Sequence, residues 1–234
     1  MTTELTYPYL LNEDFIQACR DYFYLVDHHF PERGVLKLVG DRYKLNGDQR
    51  TVLYRGISSQ KRSAIRNVLL VSDIAGKNLL IDGYNVLFTL LNYRLGRITF
   101  ISTDQILRDA GSLHGKLSDE NTFAECIELL MRNMVKKHPG KADIYLDSPV
   151  SHSERHAALI RNKMHEYNLT GDCHVIKSAD WALTHSNEGI IATSDTAIIE
   201  RAHLPVIDLP REILEDVYNA SFLKLTGLLS PDKI

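Results

Sequence analysis

From Asn12 to about His29, Phe15, Ile16, Cys19, Phe23, Val26 and Phe30 recur every three or four positions, the spacing of an amphipathic helix, and Pro31 marks its end. Val35, Leu36, Leu38 and Val39 predict a second helix running toward Tyr43 and Leu45. Asn46-Gly47-Asp48 interrupts it, and a third helix follows from about Gln49 to Gly56. The polar run Ser58–Ser63 reads as punctuation, and Ala64 to Ser72 as one more helix before Gly76 and Lys77. The first stretch is therefore expected to be an all-α domain, residues 1–75, with a second domain over 76–234.

Beyond that boundary the period changes. Short β-rich runs at Asn78–Asp82, Ile98–Ser102, Asp143–Asp147, Cys173–Lys177, Gly189–Thr193 and Pro205–Leu209 alternate with helix-period stretches. The clearest is Asn121–Lys137, with Thr122 and Glu125 as a candidate capping box. Helices are also expected over Ser151–Tyr167, from Ala179, over Asp195–Ala202 and over Arg211–Leu225. Strand and helix in alternation predict an α/β fold built on a mostly parallel sheet.

At 44% hydrophobic and 24% charged residues, the 234-residue chain has the composition of a folded soluble protein. No apolar run reaches the roughly 20 residues of a membrane span. Met1–Thr6 lacks the basic and apolar regions of a secretory signal. Cys19, Cys126 and Cys173 form no C-x-x-C pair, so they are expected to fill the core, and a cytoplasmic location is expected. The net charge of −3 is unevenly spread. Residues 1–70 hold ten Lys+Arg against eight Asp+Glu, leaving the remainder acidic, and between Arg33 and Arg66 nine basic residues meet only Asp41 and Asp48.

The chemistry is expected where a parallel sheet gathers ligands, at the carboxyl ends of its strands. Asp82, Asp147, Asp180 and Asp195 each fall at or just past such an end. Aspartates are also common helix caps. A cluster of four, with only Lys177 nearby in sequence, raises its own pKa values unless a cation compensates. Oxygen-only ligands point to Mg2+ or Mn2+, which lowers the pKa of bound water and clamps phosphodiester oxygens.

Ile81-Asp82-Gly83-Tyr84-Asn85-Val86-Leu87, Leu146-Asp147, Ser178-Ala179-Asp180 and Ala192–Ile198, with its Thr-Ser-Asp, resemble the ordered acidic motifs of PIN-like nucleases, especially the NYN branch. The resemblance covers about residues 77 to 209. It implies a Rossmann-like three-layer α/β/α sandwich in which Mg2+ or Mn2+, bound by acidic residues, supports RNA cleavage. Carried over, Asp82 and Asp195 would be the central metal ligands, Asp147 a further ligand, and Asp180 a ligand or water-positioning base. Asn85 would hold a ligand carboxylate or a phosphate, Gly83 would permit the tight turn, and Thr193 and Ser194 would position water or phosphate. The stretch Arg97–Gly115 departs from the simpler family pattern; Asp104 and Asp109 within it read as helix caps rather than supplementary ligands, and Glu125 and Glu128 as a solvated helix face. The N-terminal helices resemble a domain of unknown function that brings no known activity.

RNA also accounts for the basic arm, through counterion release at phosphates. Arg42 and Arg55 would contact phosphates, and Tyr43 and Tyr54 would stack on unpaired bases or else fill the core. Ser148 and Ser151 begin a stretch where free backbone N–H groups bind phosphate or simply cap a helix. His152 and His156 lack the intervening Glu of H-E-x-x-H, Asp27-His28-His29 reads as a favourable helix end, and no nucleotide-binding glycine motif or G-x-S-x-G elbow occurs. The expected function is that of a metal-dependent endoribonuclease, a hydrolase acting on single-stranded RNA. A non-catalytic RNA-binding adaptor is the alternative, and a phosphatase is disfavoured by the absence of D-x-D. Homodimerisation is left open.

Overall fold

The computed structural model describes residues 7, 10–111 and 119–230. The readings made on Met1–Thr6 and on Ser112–Gly115 lie outside the described residues. Four helices come first: α1 (Glu13–Asp27), α2 (Glu32–Arg42), α3 (Gly47–Gly56) and α4 (Gln60–Val68). Asn12 caps α1 by accepting the Phe15 N–H, and Asn46 and Gln49 close a reciprocal capping box on α3. The polar run before Ala64 is not a break. Ser59 accepts the Arg62 N–H and starts α4 at Gln60, which carries Arg62 and Arg66 into the structure.

The remainder runs β1 (Asn78–Asp82), α5 (Gly83–Arg94), β2 (Thr99–Ile101), β3 (Leu107–Asp109), α6 (Glu120–Lys137), β4 (Lys141–Asp147), α7 (Ser153–Glu166), β5 (Gly171–Ile176), α8 (Ala179–Thr184), β6 (Ile190–Ala192), α9 (Thr196–Ala202), β7 (Val206–Ile207), α10 (Leu209–Tyr218), β8 (Leu223–Lys224) and α11 (Thr226–Leu229). Asp119, not Thr122, caps α6, because Thr122 donates its own N–H to Asp119. The expected last helix ends at Tyr218, where Asn219 turns left-handed at φ 48° and frees the chain to form β8.

The protein is mixed α/β. Its main sheet has the order β5-β4-β1-β6-β7, with every pairing parallel. Alternation along the strands serves two faces. Leu79, Ile81, Ile144, Ile190 and Ala192 point into a large core with α5, α6, α7 and α10. Leu80 and Ile191 point the other way, to Leu183 of α8 and Ile198 of α9.

The strand expected at Ile98–Ser102 does not join this sheet. It forms β2 of a second sheet, ordered β3-β2-β8, pairing antiparallel with β3 and parallel with β8. The reason lies in its side chains: Ile101 packs into the large core, while Ile98 and Phe100 pack into the core of the N-terminal helices with Phe15, Tyr22, Val52 and Leu53. Leu225 completes that helical core. Gly56 marks a close approach, since a Cβ there would sit 2.2 Å from Leu225 Cδ1 and 2.6 Å from Phe100 Cε2. All three cysteines are free and buried, and burial pushes the Cys126 and Cys173 thiols up to about 12. Among the described residues no helix is long and apolar enough to cross a membrane.

Candidate functional site

The chain leaves β1 for β4 and β5 on one side and returns to β6 and β7 on the other, so the strand order reverses at β1. A crevice at the carboxyl end of the sheet is expected at such a point. Asp82 stands there as the last residue of β1. The turn into α5 needs Gly83, whose Cβ would meet Leu146 Cδ2 at 2.5 Å and the Tyr145 carbonyl at 2.9 Å. Asp147 ends the neighbouring β4, Asp195 follows β6, and Asp180 lies in the first turn of α8.

These carboxylates share one electrostatic neighbourhood. Asp82 is buried, and burial, reinforced by Asp195, Asp180 and Asp147, raises its pKa to about 7 against the opposing hydrogen bond from Thr193. Burial, Asp195 and Asp147 likewise raise Asp180. Asp82 occupies the N-cap position of α5 yet makes no capping bond; it accepts the Thr193 hydroxyl at 2.8 Å instead. Asp195 does cap α9, accepting Ala197 N–H at 2.7 Å and Ile198 N–H at 3.2 Å through Oδ1 alone. Asp147 accepts Ala179 N–H at 2.8 Å, also through Oδ1. One oxygen of Asp82, Asp147 and Asp195 thus remains without a hydrogen bond among the described residues.

The donor chemistry fits a hard divalent cation: several carboxylate oxygens, one of them buried, with mutual repulsion to relieve. Among the described residues, however, no three His, Cys, Asp or Glu side chains stand in an arrangement that holds an ion.

The surrounding polar residues hold the site loop. Asn85 Oδ1 accepts both the backbone N–H and the hydroxyl of Ser194, at 2.8 and 3.0 Å, while Thr193 Oγ1 also accepts the Asp195 N–H at 3.1 Å. Arg108 of β3 reaches the Ser194 carbonyl at 3.0 Å and the Asp104 carboxylate at 2.7 and 2.9 Å. Asp104 therefore caps no helix: it is a buried partner of Arg108 and of Arg66, 3.0 Å away. Asp109 caps none either, accepting from Asn92, Thr89, Gly111 and Arg55.

The other expected contacts fall into place less uniformly. The helix after Asp147 begins at Ser153, later than expected, with His152 left-handed before it, and the Ser148 N–H is taken by the Ile176 carbonyl. Ser151 lies exposed in the intervening turn. Arg42 is exposed over the Tyr43 ring, whose hydroxyl donates to Asp21, whereas Arg55 and Tyr54 line a cavity that reaches Ser194 and Asp195. His156 is buried, with Nδ1 3.0 Å from the Tyr84 hydroxyl. Glu125 pairs with Arg94, and Glu128 with Arg132 and Lys163.

A second hollow of about 650 Å3, with little trace in the sequence, flanks Asp180 and is lined by Tyr145, His174, Lys177, Ser178 and Trp181 among others. Tyr145 and His174 stack at 5.3 Å, and Trp181 is 64% exposed. The one signal for it was the only tryptophan of the chain, standing next to Asp180.

The chain belongs to the family described as Domain of unknown function (DUF5616), whose model matches residues 71–212. A model described as Protein of unknown function (DUF434) matches residues 14–68. Among individual proteins, Uncharacterized protein MJ0935 of Methanocaldococcus jannaschii is 32% identical over 202 residues, covering 85% of this chain and 96% of that protein. No solved structure matches the chain significantly.

Proposed function

We propose that the protein is a metal-dependent endoribonuclease on a PIN-like, Rossmann-like α/β/α sandwich. Counted along the main sheet alone, the strands stand in the spatial order 3-2-1-4-5, which supports the Rossmann-like reading. The observation that carries the function is Asp82: a buried carboxyl at the switch point, used by no helix cap and pushed up to about 7 with three other aspartates among the causes. A buried carboxyl crowded by like charges at a crevice is the signature of a functional-site candidate.

In this reading Asp82, Asp195 and Asp147 would have to draw together to hold Mg2+ or Mn2+, and Asp180 would join them or orient a water. A bound hard cation would supply a more acidic water and charge neutralisation at the phosphodiester. The protein's own groups do the positioning. Thr193 fixes the Asp82 carboxylate, Asn85 fixes Ser194, and Asp180, with its raised pKa, suits the acceptance of a proton from water. Trp181, exposed beside that edge, offers a stacking face to an unpaired base, which favours single-stranded RNA.

The test is cleavage of single-stranded RNA with Mn2+ or Mg2+ by the parent chain and by Asp82→Asn and Asp195→Asn. Loss of cleavage in both variants with retained folding supports the proposal, and unchanged cleavage in both refutes it. Salt-sensitive RNA binding without metal-stimulated cleavage selects the adaptor instead.

A further inference from the structure

Between the N-terminal helices and the loop entering α9 lies a hollow of about 600 Å3, within the range of small-molecule sites. Five arginines line it, Arg50, Arg55, Arg62, Arg66 and Arg108, against two carboxylates, Glu32 and Asp195. Most of this charge is already matched. Arg108 is held by Asp104 and the Ser194 carbonyl, Arg62 by Glu200 and Glu32, and Arg50 by Asp41 and the Leu45 carbonyl.

Two arginines keep spare donors, one buried and one partly exposed. Arg66 is 1% exposed, with Nε 3.0 Å from Asp104 and Nη1 3.6 Å from Glu200, yet none of its three nitrogens makes a hydrogen bond. Arg55 spends one N–H on Asp109 at 3.4 Å, and its other donors have no acceptor among the described residues. Buried guanidinium donors without acceptors, as at Arg66, are costly and rare in folded proteins, while the spare donors of Arg55 face the hollow. An oxyanion entering the hollow would supply the missing acceptors.

The arrangement selects the kind of anion. A planar carboxylate is served by one guanidinium fork, whereas two forks borne on separate helices suit the several oxygens of a tetrahedral phosphate. Tyr54, 43% exposed on the same wall, gives an attached nucleoside a ring to stack on.

We propose that this cavity binds the terminal phosphate of a nucleotide-sized phosphomonoester, with Arg55 and Arg66 as its donors. The ligand is either the phosphorylated end of an RNA or a free nucleotide. The proposal does not depend on cleavage at the aspartates. It adds that a phosphate held here lies beside Ser194 and Asp195, which share the cavity wall.

The experiment measures binding by the full chain in chelator, so that metal chemistry plays no part. The probes are one short RNA with a 5′-phosphate, the same RNA with a 5′-hydroxyl, adenosine monophosphate and inorganic phosphate. Arg55→Ala and Arg66→Gln are compared with the parent. Because Arg66 belongs to a buried ion pair, Arg55→Ala, at a partly exposed side chain, keeps the test open if the other variant unfolds.

The 5′-phosphate is expected to tighten RNA binding about tenfold or more, and Arg55→Ala to remove that gain. Competition by the mononucleotide or phosphate, weakened by Arg55→Ala, without a 5′-phosphate effect on RNA also supports the site and identifies a free phosphorylated ligand. If neither the terminal phosphate, the mononucleotide nor inorganic phosphate binds, or if Arg55→Ala leaves their binding unchanged, the proposal is overturned.

Discussion

Thr193 Oγ1 donates a 2.8 Å hydrogen bond to Asp82 Oδ2, tying the loop after β6 to the end of β1. The bond favours the ionised carboxylate and opposes the burial that pushes Asp82 up to about 7. Thr193→Val keeps the shape and removes the donor. The Asp82 pKa is expected to rise further, by about 1–2 units for a hydrogen bond to a charged group. Titration of the 13C-labelled aspartate carboxyl carbons in metal-free buffer measures it, and an unchanged or lowered value contradicts the assignment.

Asp82→Asn is expected to stabilise the metal-free protein in a pH-dependent way. Below about pH 4 the carboxyl is protonated in both folded and unfolded chains, so parent and variant differ little. Between that pH and about 7 the unfolded chain releases the proton while the folded one retains it, and the parent loses stability as pH rises. At pH 8 the variant should therefore be more stable by about 2–4 kcal/mol. Urea denaturation at both pH values checks it; a variant less stable at pH 8 shows that Asp82 serves folding.

Trp181→Ala is expected to weaken single-stranded RNA binding about tenfold, the worth of one stacked base, while leaving the melting temperature within a degree or so, since the ring is largely exposed. Because the chain has one tryptophan, quenching of its fluorescence by RNA reports the contact directly. RNA that binds without quenching places the base elsewhere.

Phe100→Ala should cost about 3–5 kcal/mol, the usual cost of emptying a buried phenylalanine site. The loss should concentrate in α1 to α3, whose core Phe100 completes. Hydrogen exchange resolves the two regions; equal loss of protection in the main sheet would show a single cooperative unit.

The helices and strands with strong periodicity, such as α1, α6 and β1, stand in the structure close to where the pattern places them. The aspartates at strand ends were legible because a parallel sheet makes its carboxyl edge a fixed address. The second sheet was not: β8 has two residues and β3 three, too short to show alternation. The basic arm was legible as charge but not as structure. Arg62 meets Glu200, Arg66 meets Asp104 and Arg55 meets Asp109, partners too distant in sequence for any local window. The left-handed turn at Asn219, which ends α10 before β8, carries no obligatory glycine to announce it.

The parallel pairing of β2 with β8, and Leu225 behind it, ties the N-terminal helices to a segment far along the chain. Until a side chain near position 225 is in place, the core of α1 to α3 lacks one of its buried members. A chain shortened before β8 would therefore leave apolar surface of α1 to α3 uncovered.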